Sequence, residues 1–159
     1  MRVVVIWLMG GLIGAQWHHS IVVLAYLIPS FFVIICFTRI INVLQLGEEH
    51  AQQVGVNVGI VKLILIAAAS LATAAAVSFS GLIGFVGLIA PHAARLMWGA
   101  DYRILVPMTA MLGGVFLILA DLVARTIVTP AELPIGIVTA FWGAPFFLYL
   151  LRFRSKLVV

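Results

Sequence analysis

Few side chains in this sequence can carry a charge or move a proton, and several of them occur as close pairs within apolar stretches. Asp121 precedes Arg125 by four residues, and His92 precedes Arg95 by three. Both spacings place two side chains on one face of a helix. In the first pair, the Asp121 carboxylate can therefore form an ion pair with the Arg125 guanidinium. Because an ionisable side chain at membrane depth is a functional candidate by default, these two pairs are the first places to look for chemistry.

Each pair also has a structural explanation. Arg95 falls near one end of its apolar run, where its long side chain can reach water. A buried histidine such as His92 more often makes a hydrogen bond than binds a ligand, so we expect both residues to be structural. Arg125 has two interpretations, because its guanidinium can grip a carboxylate on a partner protein or can pair only with Asp121.

The sequence contains no pattern that is typical of metal binding or catalysis. His18 and His19 are adjacent, so in a helix they point about 100° apart and cannot share a metal as an i, i+4 pair can. His50 and His92 are distant in sequence, and HExxH, CxxC and GxxxxGK[ST] are all absent. We therefore predict no enzyme activity, no metal bound by the protein itself and no cofactor.

The composition defines the elements that must hold these side chains. Of the 159 residues, 65% are hydrophobic and only 9% are charged, whereas a soluble domain has about 25% charged residues. The chain is therefore a membrane protein, which excludes a soluble enzyme, a nucleic-acid-binding protein and a disordered tail. The single cysteine, Cys36, cannot form an intramolecular disulfide, so helix packing must hold the fold.

Continuous apolar runs predict an all-α, polytopic bundle of transmembrane helices. A span needs about 20 apolar residues, and five runs qualify or nearly do: Ile21–Phe37, Val61–Phe79, Leu82–Met97, Ile104–Ala124 and Ile135–Leu151. A shorter run within residues 1–16 contains Gly10 and Gly11 and is predicted to be a re-entrant or interfacial helix. A cleaved signal peptide is the alternative, disfavoured because the residues from Trp17 to His19 make a poor cleavage region.

Basic residues predict the orientation through the positive-inside rule. If residues 38–60 form a cytoplasmic loop, only Arg2 and Arg125 lie outside, and the C-terminus is cytoplasmic. The loop 125–134 is then external. The basic residues on the cytoplasmic side are Arg39, Lys62, Arg95, Arg103, Arg152, Arg154 and Lys156.

The longest polar stretch of the chain runs from position 42 to position 57. Gly47 and Gly55 bracket about two helical turns, with Glu48 and Glu49 in the first turn. A short helix of this kind is suited to docking in a groove on a cytoplasmic partner. On these residues alone, an ordinary solvated connector is slightly favoured.

Several motifs, in order along the chain, resemble the FecCD family, the permeases of type II ABC importers for iron-siderophores, haem and cobalamin. Leu46-Gly47-Glu48 with Ala51 and Gly55 resembles the family's cytoplasmic coupling loop. Residues 84–92, GFVGLIAPH, followed by Arg95, resemble its GFIGLxxPHxxR signature. Three further matches are Trp7-Leu8-Met9-Gly10-Gly11 with Trp17, Asp121 with Arg125, and Glu132-Leu133-Pro134-Ile135-Gly136 with Gly143-Ala144-Pro145.

The resemblance implies a role for each matching residue. It implies that the loop residues Leu46, Gly47, Glu48, Ala51 and Gly55 enter the cleft of an ATPase, which favours docking over the connector. It implies that Arg125 meets a carboxylate on an external binding protein, with Asp121 orienting the guanidinium. The implied gate and pathway residues are Trp7, Gly10, Gly11, Pro134, Gly136, Gly143 and Pro145; the structural signature is Pro91, His92, Arg95 and Asp121.

The same resemblance implies the partners and the location. The partners are ABC ATPase subunits, a periplasmic or lipid-anchored substrate-binding protein, a second permease subunit in a homo- or heterodimer, and membrane lipid, but no nucleic acid. The location is the cytoplasmic membrane of a prokaryote.

Family permeases have ten spans, and only their C-terminal half matches. The alternatives are a non-functional permease fragment and a stand-alone channel or secondary carrier, for which Asp121 is the only acidic residue inside a run.

Overall fold

The computed structural model describes residues 9–11, 16–127 and 133–154. Six helices occupy most of these ranges, and no strand occurs in them. We number them α1 (Trp17–Leu44), α2 (Glu48–Gln53), α3 (Val58–Ser80), α4 (Val86–Trp98), α5 (Tyr102–Ile127) and α6 (Ile135–Arg154). The predicted all-α class is confirmed.

Three helices of the described chain are long and apolar enough to cross a membrane. They are α1, α3 and α5, with 28, 23 and 26 residues. At 1.5 Å per residue each exceeds the hydrocarbon thickness of about 30 Å. In the described part of the chain the apolar stretch of α6 is Ile135–Leu148, which is shorter than this criterion requires, and α4 has only 13 residues. Three of the five predicted spans therefore meet the length criterion.

The apolar run predicted to span from position 82 begins as non-helical backbone. Residues 81–84 have no regular secondary structure. Phe85 has a φ of +67°, in the left-handed region that residues other than glycine rarely adopt. A helix cannot propagate backwards through that residue, so α4 starts at Val86. Apolar composition alone could not reveal this break.

Small and branched residues form the contacts between the helices. α1 packs along α3, and α4 packs on α5 and α6. Ala68 and Ala75 are buried on α3, and small residues of this kind allow helix backbones to approach closely in lipid. A separate buried cluster joins the last turns of α5 to the start of α6 and consists of Ala120, Ala124, Ile135 and Val138.

The helix termini gather at two ends of the structure. At the first, which we call the α2 end, α1 and α4 finish and α3 and α5 begin, with α2 between α1 and α3. At the second, the Gly11 end, the Gly11 N–H donates to the Ser80 carbonyl at 2.8 Å, and the His19 and Phe79 rings lie 4.9 Å apart. Arg95 and Arg103 lie near the α2 end, whereas Arg125 lies near the Gly11 end.

Candidate functional sites

The short helix predicted between two glycines is present as α2. Gly47 is its N-cap with a φ of +119°, and Gly55 follows it with a φ of +82°. Both values favour glycine over any residue with a Cβ. Glu48 and Glu49 occupy the first turn, where the helix dipole stabilises negative charge. The two glycines therefore set the directions in which the chain enters and leaves α2.

Two contacts attach α2 to the rest of the structure. Ala51 is completely buried, and its carbonyl accepts a hydrogen bond from Val56 N–H at 3.0 Å. The Glu48 carboxylate forms an ion pair with the Lys62 ammonium in the second turn of α3. An exposed ion pair contributes only about 0–1 kcal/mol to stability, so its main effect is to fix the direction in which α2 lies relative to α3.

The surface around α2 combines apolar and polar side chains. Leu46, just before α2, is 73% exposed, and Val54, just after it, is 69% exposed. The exposed polar side chains of the helix are Glu48, Glu49, His50, Gln52 and Gln53. Large aliphatic side chains on both sides of a polar helix can supply apolar contacts to a partner.

A set of side-chain contacts that no local sequence pattern indicates joins the last turn of α1 to the turn between α4 and α5. Asn42 Nδ2 donates to Asp101 Oδ1 at 2.6 Å, and Tyr102 N–H donates to Asn42 Oδ1 at 2.9 Å. Gln45 Nε2 donates to the Ala100 carbonyl at 3.2 Å. We call Asn42, Gln45, Ala100, Asp101 and Tyr102 the polar bracket.

Asp101 also caps α5. Its Oδ1 accepts a hydrogen bond from Arg103 N–H at 3.0 Å, which is the usual role of an aspartate before the first helical residue. The hydrogen bond from Arg103 N–H, followed by the one from Asn42, lowers the pKa of the Asp101 carboxyl. The carboxyl is therefore ionised at neutral pH. The N-cap position could have been recognised from sequence, but its partner Asn42 could not.

At the Gly11 end, predicted gate glycines come into backbone contact with neighbouring segments. A Cβ placed on Gly136 would lie 2.0 Å from the Met9 carbonyl oxygen, and one on Gly10 would lie 2.4 Å from the Leu82 carbonyl oxygen. Gly10 also has a φ of +66°. The segment 9–11, the non-helical segment 81–84 and the start of α6 therefore meet where no side chain can fit.

A cavity of about 330 Å³ opens at the same place. Its walls come from three segments and include Met9, Leu82, Gly84, Phe85, Gly136 and Ala140. The Phe85 ring lies over Gly143, where a Cβ would approach the ring to 2.2 Å. Gly143 thus provides the space that Phe85 occupies in its left-handed conformation.

The other predicted gate residues lie partly outside this cluster. Pro134 immediately precedes α6, and its carbonyl accepts from Ile137 N–H at 3.1 Å. Pro145 lies inside α6 and is exposed. Trp7 and Glu132 lie outside the described residues.

Near the end of α5, Asp121 and Arg125 form the pair that their spacing predicts. Arg125 Nε lies 2.9 Å from Asp121 Oδ2. The Arg125 side chain is 48% exposed and the Asp121 side chain 25% exposed. The aspartate therefore orients the arginine while leaving much of the guanidinium side chain accessible, a geometry that is compatible with both interpretations of Arg125.

The signature residues of α4 make contacts within the fold. The His92 ring meets the Phe146 ring edge-on, with centroids 5.8 Å apart, and Arg95 Nη2 donates to the Tyr102 hydroxyl at 3.4 Å. Pro91 lies inside the helix.

In the described part of the chain, His, Cys, Asp and Glu side chains nowhere form a group of three or more that could hold a metal.

Known proteins resemble nearly the whole length of this chain. The profile of the FecCD transport family matches residues 1–153. The cobalamin import system permease protein BtuC of Halobacterium salinarum is 52% identical over 155 residues, which are 98% of this chain and 42% of that protein. The hemin transport system permease protein HmuU of Yersinia pestis is 43% identical, over 95% of this chain and 46% of that protein.

A solved structure shows the same fold. It is an inward-facing conformation of a metal-chelate type ABC transporter, with a TM-score of 0.89 and 33% sequence identity. The match covers 95% of this chain and 49% of that one. The chain thus spans about half the length of the proteins it matches.

Proposed function

Because the chain belongs to the FecCD transport family, we propose that it is the C-terminal half of the permease subunit of an ATP-driven importer. The substrate would be a metal chelate such as an iron-siderophore, haem or cobalamin, moved across the cytoplasmic membrane of a prokaryote by alternating access. The observation that carries this proposal is α2, a short helix between two positive-φ glycines at the end of membrane-length helices.

The α2 end is the proposed contact with the ATPase. Leu46 and Val54 supply the apolar contacts, and the exposed polar side chains of α2 supply the rim. The Glu48–Lys62 ion pair and the buried Ala51 hold α2 against its neighbours, so pressure on α2 displaces those helices as well. ATP hydrolysis would belong to the separate ATPase subunit.

The Gly11 end is the proposed external gate. Its segments meet through Gly10 and Gly136 without side chains between them, so a small displacement would open or close the cavity beside them. Between Glu132 and Arg152 the sequence has no charged residue. A neutral wall of this kind suits a large chelate that must pass without binding tightly.

Arg125 is the proposed contact with a substrate-binding protein. It lies near the Gly11 end, opposite α2, and the predicted orientation places that end outside the cell. Asp121 positions the guanidinium, and an arginine can bind a carboxylate through two parallel hydrogen bonds. A second permease subunit would complete the pathway.

The proposed contact with the ATPase can be tested in membrane vesicles. Leu46→Asp would place a charge in the apolar contact, so we expect ATP-dependent uptake to fall about tenfold or more while the permease remains in the membrane. Leu46→Met, which keeps a large apolar side chain at the same exposed position, is the control and should transport normally. Normal uptake by Leu46→Asp would contradict the proposed docking surface.

A second candidate is a non-functional permease fragment, which stays inactive even beside the remainder of the permease, since the chain spans under half the length of these relatives. Expression of this chain with and without the remainder of the permease distinguishes the two. Uptake that requires the remainder supports the importer, whereas absence of uptake in both cases supports the inactive fragment.

A further inference from the structure

We infer that the polar bracket joins the end of α1 and the start of α5 into one rigid unit, which carries motion of α2 to the Gly11 end. The inference rests on the proposed function and names residues that position moving parts of that machinery. Asn42 and Asp101 are its central pair, linked at 2.6 Å across 59 positions of sequence.

The bracket is attached to helices rather than to loose chain. On one side, Asn42 lies within the last turn of α1. On the other side, Asp101 caps α5 through Arg103 N–H, and its carbonyl accepts from Ile104 N–H and Leu105 N–H at 3.1 and 2.8 Å. Because both partners are fixed by their own helices, the hydrogen bonds between them hold two helix ends at a set distance.

The bracket also lies directly beside α2 along the chain. Gln45 is two residues before Gly47, and hydrogen-bonded turns continue from α1 to Gly47, whose N–H donates to the Leu44 carbonyl at 3.2 Å. A displacement of α2 is therefore transmitted directly to the polar bracket. The Glu48–Lys62 ion pair provides the separate connection to α3.

From the bracket, α5 leads to the opposite end of the structure. Its last turns contain Ala120 and Ala124, which are buried against Ile135 and Val138 of α6. The same part of α6 supplies Gly136 to the cavity at the Gly11 end. Packed contacts thus run continuously from α2 through the bracket and α5 to the proposed gate, which gives a physical route for coupling between the two ends.

The test uses the complex that a tag on this chain recovers, reconstituted in proteoliposomes with its ATPase and binding protein. Asn42→Cys and Asp101→Cys are introduced together, after Cys36→Ser and removal of other native thiols. A short, reducible bis-methanethiosulfonate reagent then links the pair. The measured quantity is uptake per ATP hydrolysed, for whichever of cyanocobalamin, hemin or ferrichrome the wild-type complex transports.

Loss of the bracket in the unlinked double variant should lower uptake per ATP by about 2- to 30-fold, the range seen for residues that carry coupling between sites. Linking should restore uptake, and reduction should lower it again. Unlinked protein with wild-type coupling, or linked protein that transports no better than the unlinked variant, would overturn the inference. Failure of the wild-type complex to couple ATP hydrolysis to uptake would instead reject the proposed function.

A second pair of variants avoids chemical modification. Asn42→Asp places two carboxylates against each other, so uptake per ATP should fall. Adding Asp101→Asn returns one amide and one carboxylate to the pair, and we expect most of the coupling to return. A double variant as poorly coupled as Asn42→Asp alone, at equal membrane abundance, would contradict a role for this hydrogen bond.

Discussion

Gly136 illustrates how strongly single residues constrain the Gly11 end. Its backbone packs on the Met9 carbonyl so closely that even a methyl group would lie at 2.0 Å, a distance at which backbone must move. The resemblance placed Gly136 in the gate, but only the three-dimensional structure shows which atoms exclude a side chain. Gly143 has the same character, with the Phe85 ring where its Cβ would be.

Gly136→Ala should therefore disturb the gate. We expect uptake to fall at least about tenfold and the thermal stability of the purified protein to decrease, because the added methyl group overpacks a backbone contact. Gly114→Ala is the matched control, since nothing lies within 4 Å of a Cβ at that position of α5. Stability and uptake like those of the control would contradict the close contact.

Arg125 is the residue at which docking and internal pairing can be separated. Arg125→Glu should weaken binding of the substrate-binding protein to permease in nanodiscs by about tenfold or more without lowering membrane abundance. Asp121→Asn, which keeps the arginine but weakens its orientation, should have a smaller effect. Unchanged binding by Arg125→Glu would show that the arginine serves contacts within the permease rather than docking.

At the scale of elements, α2 and most of α4 could be predicted, but the residue at which α4 begins could not. Gly47, Gly55 and the acidic first turn are local signals, and they are sufficient to indicate a short helix between them. The start of α4 depends on Phe85, whose left-handed backbone costs about 1–3 kcal/mol and persists because its ring packs over Gly143. The two residues are 58 positions apart, so no local pattern predicts the contact.

The polar bracket was missed for the same physical reason. From sequence alone, Asn42 is only a polar residue at the end of an apolar run, and Asp101 is only a turn residue. Neither suggests the other, because hydrogen bonds between distant positions are decided by how helices pack rather than by local spacing. The Asp121–Arg125 pair, by contrast, follows from an i, i+4 spacing within one helix.

The positive-φ glycines around α2 lead to a prediction for that element. Gly47→Ala should strain the backbone where α2 begins and reduce ATP hydrolysis by the assembled importer several-fold, because the helix would no longer meet the ATPase at the required angle. Gly59→Ala is the control: it lies in the first turn of α3, where a Cβ makes only an ordinary contact at 3.6 Å. Equal activity of the two variants would argue against a fixed entry angle.

At the scale of the whole molecule, composition and run length were enough to predict an all-α membrane protein. They were not enough to set the number of spans, since α4 is too short and begins late. The two ends of the structure nevertheless differ in the kind of surface that they present. One presents α2 with exposed apolar side chains, and the other brings glycine backbones together beside a cavity.

The most direct test of the account is to place a tag after Val159 at the native locus, purify the tagged protein in mild detergent, and identify it and its companions by mass. We predict a permease about twice the length of this chain, or this chain together with a separate remainder, recovered with an ABC ATPase that is lost on Leu46→Asp. A short tagged chain recovered without any ATPase would contradict the assignment as the coupled half of an importer.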